Sequence, residues 1–315
     1  MNEEVKAINR TGVILLLAMV CCFLWGSATP SIKTGYEMFA IQGDDTWSII
    51  LFAGVRFFLA GLLVILFESL HQKRFILPEA GSAPYIVKLA LAQTIIQYFF
   101  FYIGLAHTSG VTGTILSGSG GFISIILVCI VLRSERLSAN KIVGVILGFS
   151  GIIIMNISFH GDTSAHFTLL GEGFVLLSQI SYAMSGIMVK RYSQSYPVTM
   201  LSGYQFMLGG LVMAIVGFAA GGRMQMDAGP VGYVLLLYMA LISAVAYTLW
   251  GTLLKYNPVS RVAIFNFLTP LWGTILSAIF LGEVEQALQI NKMVALVLVS
   301  LGIYIVNRAP ATRQE

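Results

Sequence analysis

An all-α membrane protein, with ten transmembrane helices arranged as two inverted five-helix repeats, is the fold class this sequence predicts. Three observations carry that expectation. Of 315 residues, 57% are hydrophobic and only 10% charged, where a soluble domain has about 25% charged residues. Apolar runs of about 20 residues, the length that crosses a bilayer as a helix, recur along the whole chain. Residues of the first half also reappear in the second at a nearly constant offset of 148 to 151 positions.

Taken in order, the expected spans are 12–33, 48–67, 85–106, 112–132, 140–158, 168–189, 198–219, 231–254, 260–281 and 290–307. The first follows Lys6 and Arg10 and so mimics a secretory leader. Its apolar run is too long for one, and it has a counterpart later in the chain, so it reads as a retained span. It is also unusual. "FLWGSATPSIK" (23–33) sets Gly26, Ser27, Thr29, Pro30 and Lys33 where a plain lipid anchor would be apolar, and predicts an interrupted helix. Span 2 holds Arg56, a charge inside hydrocarbon, for which contacts with carbonyls or acidic groups are expected. Span 3 carries Gln93 and Gln97 on one face and Tyr98 and Tyr102 as an adjacent stripe. Span 4 contains "SGSGG" (117–121). Span 6 offers Gln179, Tyr182 and Ser185 at a spacing of three and ends near Lys190; span 8 offers Ser243, Tyr247 and Trp250; span 9 holds Asn266 and Pro270. The connections are short, leaving no room for a soluble domain between spans.

Charge sets the expected orientation. Lys6, Arg10, Lys73, Arg74, Lys88, Arg133, Arg136, Lys141, Lys190, Arg191, Lys255, Arg261, Arg308 and Arg313 fall on one side, and only Lys33, Arg223 and Lys292 on the other. The positive-inside rule then places both termini in the cytoplasm of a cell-membrane protein. Cys21, Cys22 and Cys129 all lie in apolar runs without ligand spacing, so they read as small buried hydrophobes.

The repeat is legible in several places. "RFFLAGLL" (56–63) resembles "QFMLGGLV" (205–212), and Tyr98 and Tyr247 share the same offset of 149, as do Ser117 and Asn266. "GIIIMN", ending at Asn156, matches "GIYIVN", ending at Asn307; "LRSE", ending at Glu135, resembles "FLGE", ending at Glu283. The halves are therefore 1–158 and 159–315. Five spans per half is an odd number, so the second half must enter the membrane upside down. Inverted repeats with corresponding Gly- or Pro-interrupted helices point to a binding site at the repeat interface. Spans 1 and 6 match in this way: Trp25, Gly26, Ser27 and Lys33 correspond to Tyr182, Ser185, Gly186 and Lys190.

"FLWGSATPSIK", "RFFLAGLLV" and "AYTLWGTLLKYNPVSRVAIFNFLTPLWGTILSAIFLGE" (246–283) together resemble EamA-type proteins of the drug/metabolite transporter superfamily. The resemblance covers nearly the whole chain. It implies ten spans with cytoplasmic ends, a central cavity lined by spans 1, 3, 4, 6, 8 and 9, and transport of small metabolites, often amino-acid export. One departure stands out: Pro270 of span 9 is replaced by "GSGG" (118–121) at the matching place in span 4.

The expected substrate-binding residues are Trp25, Ser27, Thr29, Lys33, Gln97, Tyr98, Tyr102, Ser117, Gln179, Tyr182, Ser185, Lys190, Tyr247, Trp250 and Asn266. Glu172 suits the first turn of a helix, and Glu135 and Glu283 suit bonds to turn backbone. An intramembrane hydrolase is the competing class, but His71, His107, His160 and His166 lie in loops or at span ends, so a membrane-buried Ser–His pair is hard to build. There is no Gly-rich loop ending in Gly-Lys-Ser/Thr and no metal-ligand cluster, so no cofactor is expected. A scramblase or scaffold needs fewer polar stripes than six spans carry. The expected partners are the lipid bilayer and a small solute, zwitterionic or neutral because few charges lie at mid-membrane, with drug-like cations as the alternative; nucleic acid is not expected. No acidic residue or histidine falls at a span midpoint.

Overall fold

The computed structural model describes residues 11–127, 129, 137–155, 167–225, 227–257, 262 and 264–307. Among these all regular structure is helical. The repeat markers Glu135 and Asn156, the histidines His160 and His166, and the basic residues Lys6, Arg10, Arg133, Arg136, Arg261, Arg308 and Arg313 lie outside the described residues.

Apolar helices coincide with the expected runs. They are α1 (Thr11–Met38), α2 (Thr46–Gln72), α3 (Ala83–Ala106), α4 (Gly110–Ile126), α5 (Ala139–Met155), α6 (Leu169–Tyr192), α7 (Val198–Ala219), α8 (Gly229–Tyr256), α9 (Leu268–Phe280) and α10 (Ile290–Asn307). Six of them, α1, α2, α3, α6, α7 and α8, are long and apolar enough to cross a membrane; α4, α5, α9 and α10 are shorter over the described residues. The chain is a polytopic membrane protein. Helices are the natural form for such runs because lipid offers no partner to a free backbone N–H or C=O. Polar residues begin and end them. Asp45 caps α2 by accepting from the Ser48 N–H at 3.1 Å, and Lys73 ends it in the left-handed conformation. Thr168 and Glu172 form a reciprocal cap on α6: the Thr168 Oγ1 accepts from the Gly171 N–H at 3.1 Å, and Glu172 accepts from the Thr168 N–H at 2.9 Å.

The expected interruption of span 1 is not observed. α1 is one continuous helix with Pro30 inside it. A proline removes a single intrahelical bond, and packing on both sides keeps the helix whole. Gly26 serves close approach instead: a Cβ there would stand 2.7 Å from the Trp272 Cβ and 2.8 Å from the Gly273 nitrogen of α9. The irregular backbone lies elsewhere. α3 passes through π-helical turns at Ala90–Ile96, and α6 opens with them at Leu169–Gly173. α4 breaks between Ser117 and Ser119, and a 3₁₀ turn, Ile264–Phe267, precedes α9.

The packing follows a simple rule. α2 lies along α7 and α5 along α10; α1 packs on α8 and α9 just as α6 packs on α3 and α4. Exchanging each helix for the one five places away leaves these pairings unchanged. The α2–α7 contact brings backbone against backbone. A Cβ on Gly61 would meet the Gly203 carbonyl at 2.5 Å, and one on Gly210 would meet the Phe58 nitrogen at 2.2 Å. Small residues bring the two backbones together where lipid-facing helices have no hydrophobic drive to associate. A buried cluster around Phe52, Phe57, Tyr98, Tyr102, Phe206 and Tyr247 forms the centre of the molecule.

Candidate functional site

A cavity of about 100 Å³ opens among α1, α2, α3, α4, α6, α8, the start of α9 and the turn before it. Its walls are placed by the irregular elements just described. The π turns of α3 end at Gln97 and present it beside Tyr98; such turns inside a helix are frequent at functional sites. The break in α4 puts Ser117 and Gly118 on the wall, and the Ser117 hydroxyl donates to the Gly113 carbonyl at 2.8 Å, a bond that helps bend a helix. The 3₁₀ turn before α9 places Asn266 beside the Tyr182 hydroxyl.

Of the residues expected from sequence, Trp25, Thr29, Gln97, Tyr98, Ser117, Gln179, Tyr182, Tyr247 and Asn266 meet here. Trp25 is the hub: its indole makes edge contacts with Tyr182, Tyr247 and Trp250 at centroid distances of 6.4, 5.3 and 5.1 Å. Tyr98 and Tyr247 share a short hydrogen bond between their hydroxyls, and the Gln97 amide donates to Tyr247 at 3.3 Å. The walls are not fully satisfied. Trp25 Nε1, Gln97 Oε1 and the Thr114 hydroxyl are buried without a hydrogen-bond partner, although buried polar atoms in folded proteins almost always have one.

Six expected residues stand apart from this cavity. Ser27 faces α8, where its hydroxyl pairs with Tyr238 at 2.7 Å and with the Leu24 carbonyl. The fully buried Ser185 donates to the Tyr182 carbonyl within its own helix at 2.8 Å. Trp250 packs behind Trp25 rather than on the wall. Tyr102 sits behind Arg56, which donates to its hydroxyl in a short bond. Lys33 lies beyond the cavity, in the field of Glu283 and Glu37. Lys190 is in the last turn of α6, where a cation complements the helix C-terminus. The common reason is helical phase: sequence spacing fixes a stripe, but neighbouring helices decide which part of it faces the opening. Gln93 shows the same effect, since it accepts from Gln205 at 3.1 Å between α3 and α7.

The walls also contain residues that sequence reasoning left out: Arg56, Phe101, Thr114 and Thr269. Arg56 carried the available signal, a charge inside a span, but its expected role was structural. Thr114 and Thr269 carried none, because a threonine in a span is ordinary. Among the described residues no three His, Cys, Asp or Glu side chains gather as metal ligands.

Polar bonds tie the start of α4 to helices of the later part of the chain. Glu283, after α9, accepts from the Gly110 and Val111 N–H groups at the start of α4, at 2.9 and 2.8 Å. The expected bond to backbone is there, but the backbone is another helix's N-terminus, where a negative charge is favoured. Thr108 donates to Glu172 at 2.6 Å, and Lys292 donates to Thr112 at 2.7 Å. Each of these bonds joins the first 158 residues to the rest of the chain.

The profile of the EamA-like transporter family matches residues 12–157 and 169–308. This chain belongs to that family. Among EamA relatives, it is 26% identical over 312 residues to an uncharacterised transporter, YvbV, of Bacillus subtilis, covering 96% of this chain and 93% of that one. It is 26% identical over 294 residues to a WAT1-related chloroplastic protein of Arabidopsis thaliana, covering 90% and 67%. It is 24% identical over 309 residues to a probable amino-acid metabolite efflux pump of Salmonella typhimurium, covering 94% of each. A solved crystal structure superposes with a TM-score of 0.65 at 14% identity, covering 93% of this chain and 96% of the other, and so shares the fold. The family and the names of these relatives point to transport rather than catalysis.

Proposed function

We propose that this protein is a secondary transporter that exports amino acids or related small metabolites across the cytoplasmic membrane by alternating access. The two halves, 1–158 and 159–315, are inverted repeats that rock about the cavity, with both termini in the cytoplasm. One observation carries the reading. A cavity sits where helices of both halves meet, and its walls hold buried donors and acceptors without partners. A scaffold would gain stability by pairing them, whereas a carrier keeps them for its solute. The helix pairings, unchanged by a five-place exchange, support the repeat. The relative named as a probable amino-acid metabolite efflux pump supports the substrate class.

A drug-like cation fits less well. Arg56 is the one charged residue on the wall among the described residues, and it repels a cation. A hydrolase is also disfavoured: Ser117 is bonded to its own helix, and His107 Nδ1 lies 2.9 Å from the Ile103 carbonyl in its own turn. The test is counterflow in proteoliposomes loaded with unlabelled amino acids, reading uptake of labelled ones. Saturable exchange of at least one amino acid is expected. Leakage no faster than in empty liposomes for every solute tried, or chemical turnover without translocation, would sink the reading.

A further inference from the structure

We infer that Arg56 is the carboxylate receptor of the cavity, so that the protein selects small organic anions and zwitterions through a single guanidinium. The inference rests on the transport reading above and adds the chemical group that is recognised and the residue that recognises it.

Arg56 is only 2% exposed yet lines the cavity. Three neutral acceptors hold it. Its Nε donates to the Met239 carbonyl at 3.0 Å, Nη1 to the Tyr102 hydroxyl in a short bond, and Nη2 to the Ser243 hydroxyl at 3.1 Å. A guanidinium has five N–H groups, so two remain, the number a carboxylate takes in a bidentate pair. Among the described residues no carboxylate bonds to it, and no acidic side chain lines the cavity. The charge is therefore oriented but not neutralised. A buried cation in this state is costly on its own and favours an anion brought in from outside.

The matching position in the second half separates a structural from a recognition role. Gln205 stands 149 residues on, where its amide accepts from Thr94 at 2.6 Å and donates to Gln93 at 3.1 Å, closing a network between α3 and α7. A neutral amide thus suffices to join helices at that depth, and the cation in the first half does more than the packing requires. The single charge also gives the site a direction. The solute's carboxylate is held on the α2–α3–α8 side, and an ammonium group is left to the ring faces of Trp25 and Tyr182 and to the unpartnered Gln97 Oε1.

The experiment measures thermal protection of the purified full-length protein by each common amino acid, by its carboxamide and by its deaminated carboxylate, in chloride-free buffer, with sodium chloride as a control. At least one amino acid should protect in a dose-dependent manner. Its deaminated carboxylate should also protect, and its carboxamide should be weaker by about tenfold or more, the range of a charge-assisted bond. Arg56→Gln should abolish that preference, and Arg56→Lys should retain part of it. The inference is overturned if the carboxamide protects as well as the acid, if Arg56→Gln keeps the preference, if only chloride protects, or if no carboxylate in the panel protects. Should Arg56→Gln fail to fold, the acid-to-amide ratio of the unmodified protein and the Arg56→Lys variant decide. Protection reads binding and counterflow reads translocation, so the two readings fail separately. Carboxylate-dependent protection without exchange removes the transport reading alone, and saturable exchange of an amino acid whose carboxamide exchanges and protects equally well removes this one alone.

Discussion

Trp25, Tyr182 and Phe206 are all aromatic and central, but their surroundings predict different losses. Trp25 and Tyr182 line the cavity, so truncating either removes contact area from a solute in addition to the ring contacts between them. Trp25→Ala and Tyr182→Ala should lower counterflow by about tenfold or more while insertion and monodispersity stay normal. Phe206 is fully buried against Phe57 and Tyr247, with ring centroids 5.5 and 5.2 Å away. Phe206→Ala should cost about 3 kcal/mol or more of stability through the cavity it leaves, seen as a fall in unfolding temperature. Phe280 is 69% exposed, and Phe280→Ala should change neither readout. If all four variants lose transport in proportion to stability, the assignment of the wall residues fails.

At the level of elements, two kinds of join hold the bundle, and each can be loosened alone. The α2–α7 join depends on glycines, and backbone atoms already occupy the space a Cβ at Gly210 would need. Gly210→Val must push α2 away from α7, with an overpacking cost of about 1–3 kcal/mol, and should lower the unfolding temperature in detergent. The join at Glu283 is electrostatic. Glu283→Gln keeps the shape but removes the charge from the N–H groups of Gly110 and Val111, a loss of about 1 kcal/mol at a helix N-terminus. Amide hydrogen exchange over 110–113 should quicken in that variant while α7 stays protected. Unchanged exchange at 110–113 would mean that Glu283 does not hold α4 in solution.

For the whole molecule, the predictions concern orientation and energy. Tags at residues 1 and 315 should report the cytoplasm, and tags in 37–47 and 159–167 the outside, because the basic residues divide fourteen to three between the two sets of loops. A cytoplasmic tag at 159–167, the segment between the halves, would remove the inversion. Coupling follows from the cavity wall, which has no carboxylate or histidine among the described residues. Proton-driven carriers commonly hold such a group within the membrane. In liposomes with an imposed pH gradient and no solute gradient, the solute should equilibrate rather than accumulate; uphill accumulation abolished by an ionophore would contradict this.

By itself the sequence determined the fold class, the positions of the helices and most of the cavity wall. Apolar length is a local property, and a membrane leaves such a run no alternative to helix. The 149-residue offset paired Tyr98 with Tyr247 and Ser117 with Asn266, and both pairs line the cavity. Tertiary structure alone decided which way each polar side chain turned. Ser27 and Ser185 satisfy themselves on neighbouring or local groups, while Thr114, unremarkable in sequence, is left buried and unpartnered on the wall. Arg56 belongs to the same class of facts. Sequence revealed a charge inside a span, but only the packing of α3 and α8 around it supplied three neutral acceptors and, among the described residues, no anion. The physical reason is that periodicity specifies a face of one helix, whereas what that face meets is set by the close approach of others.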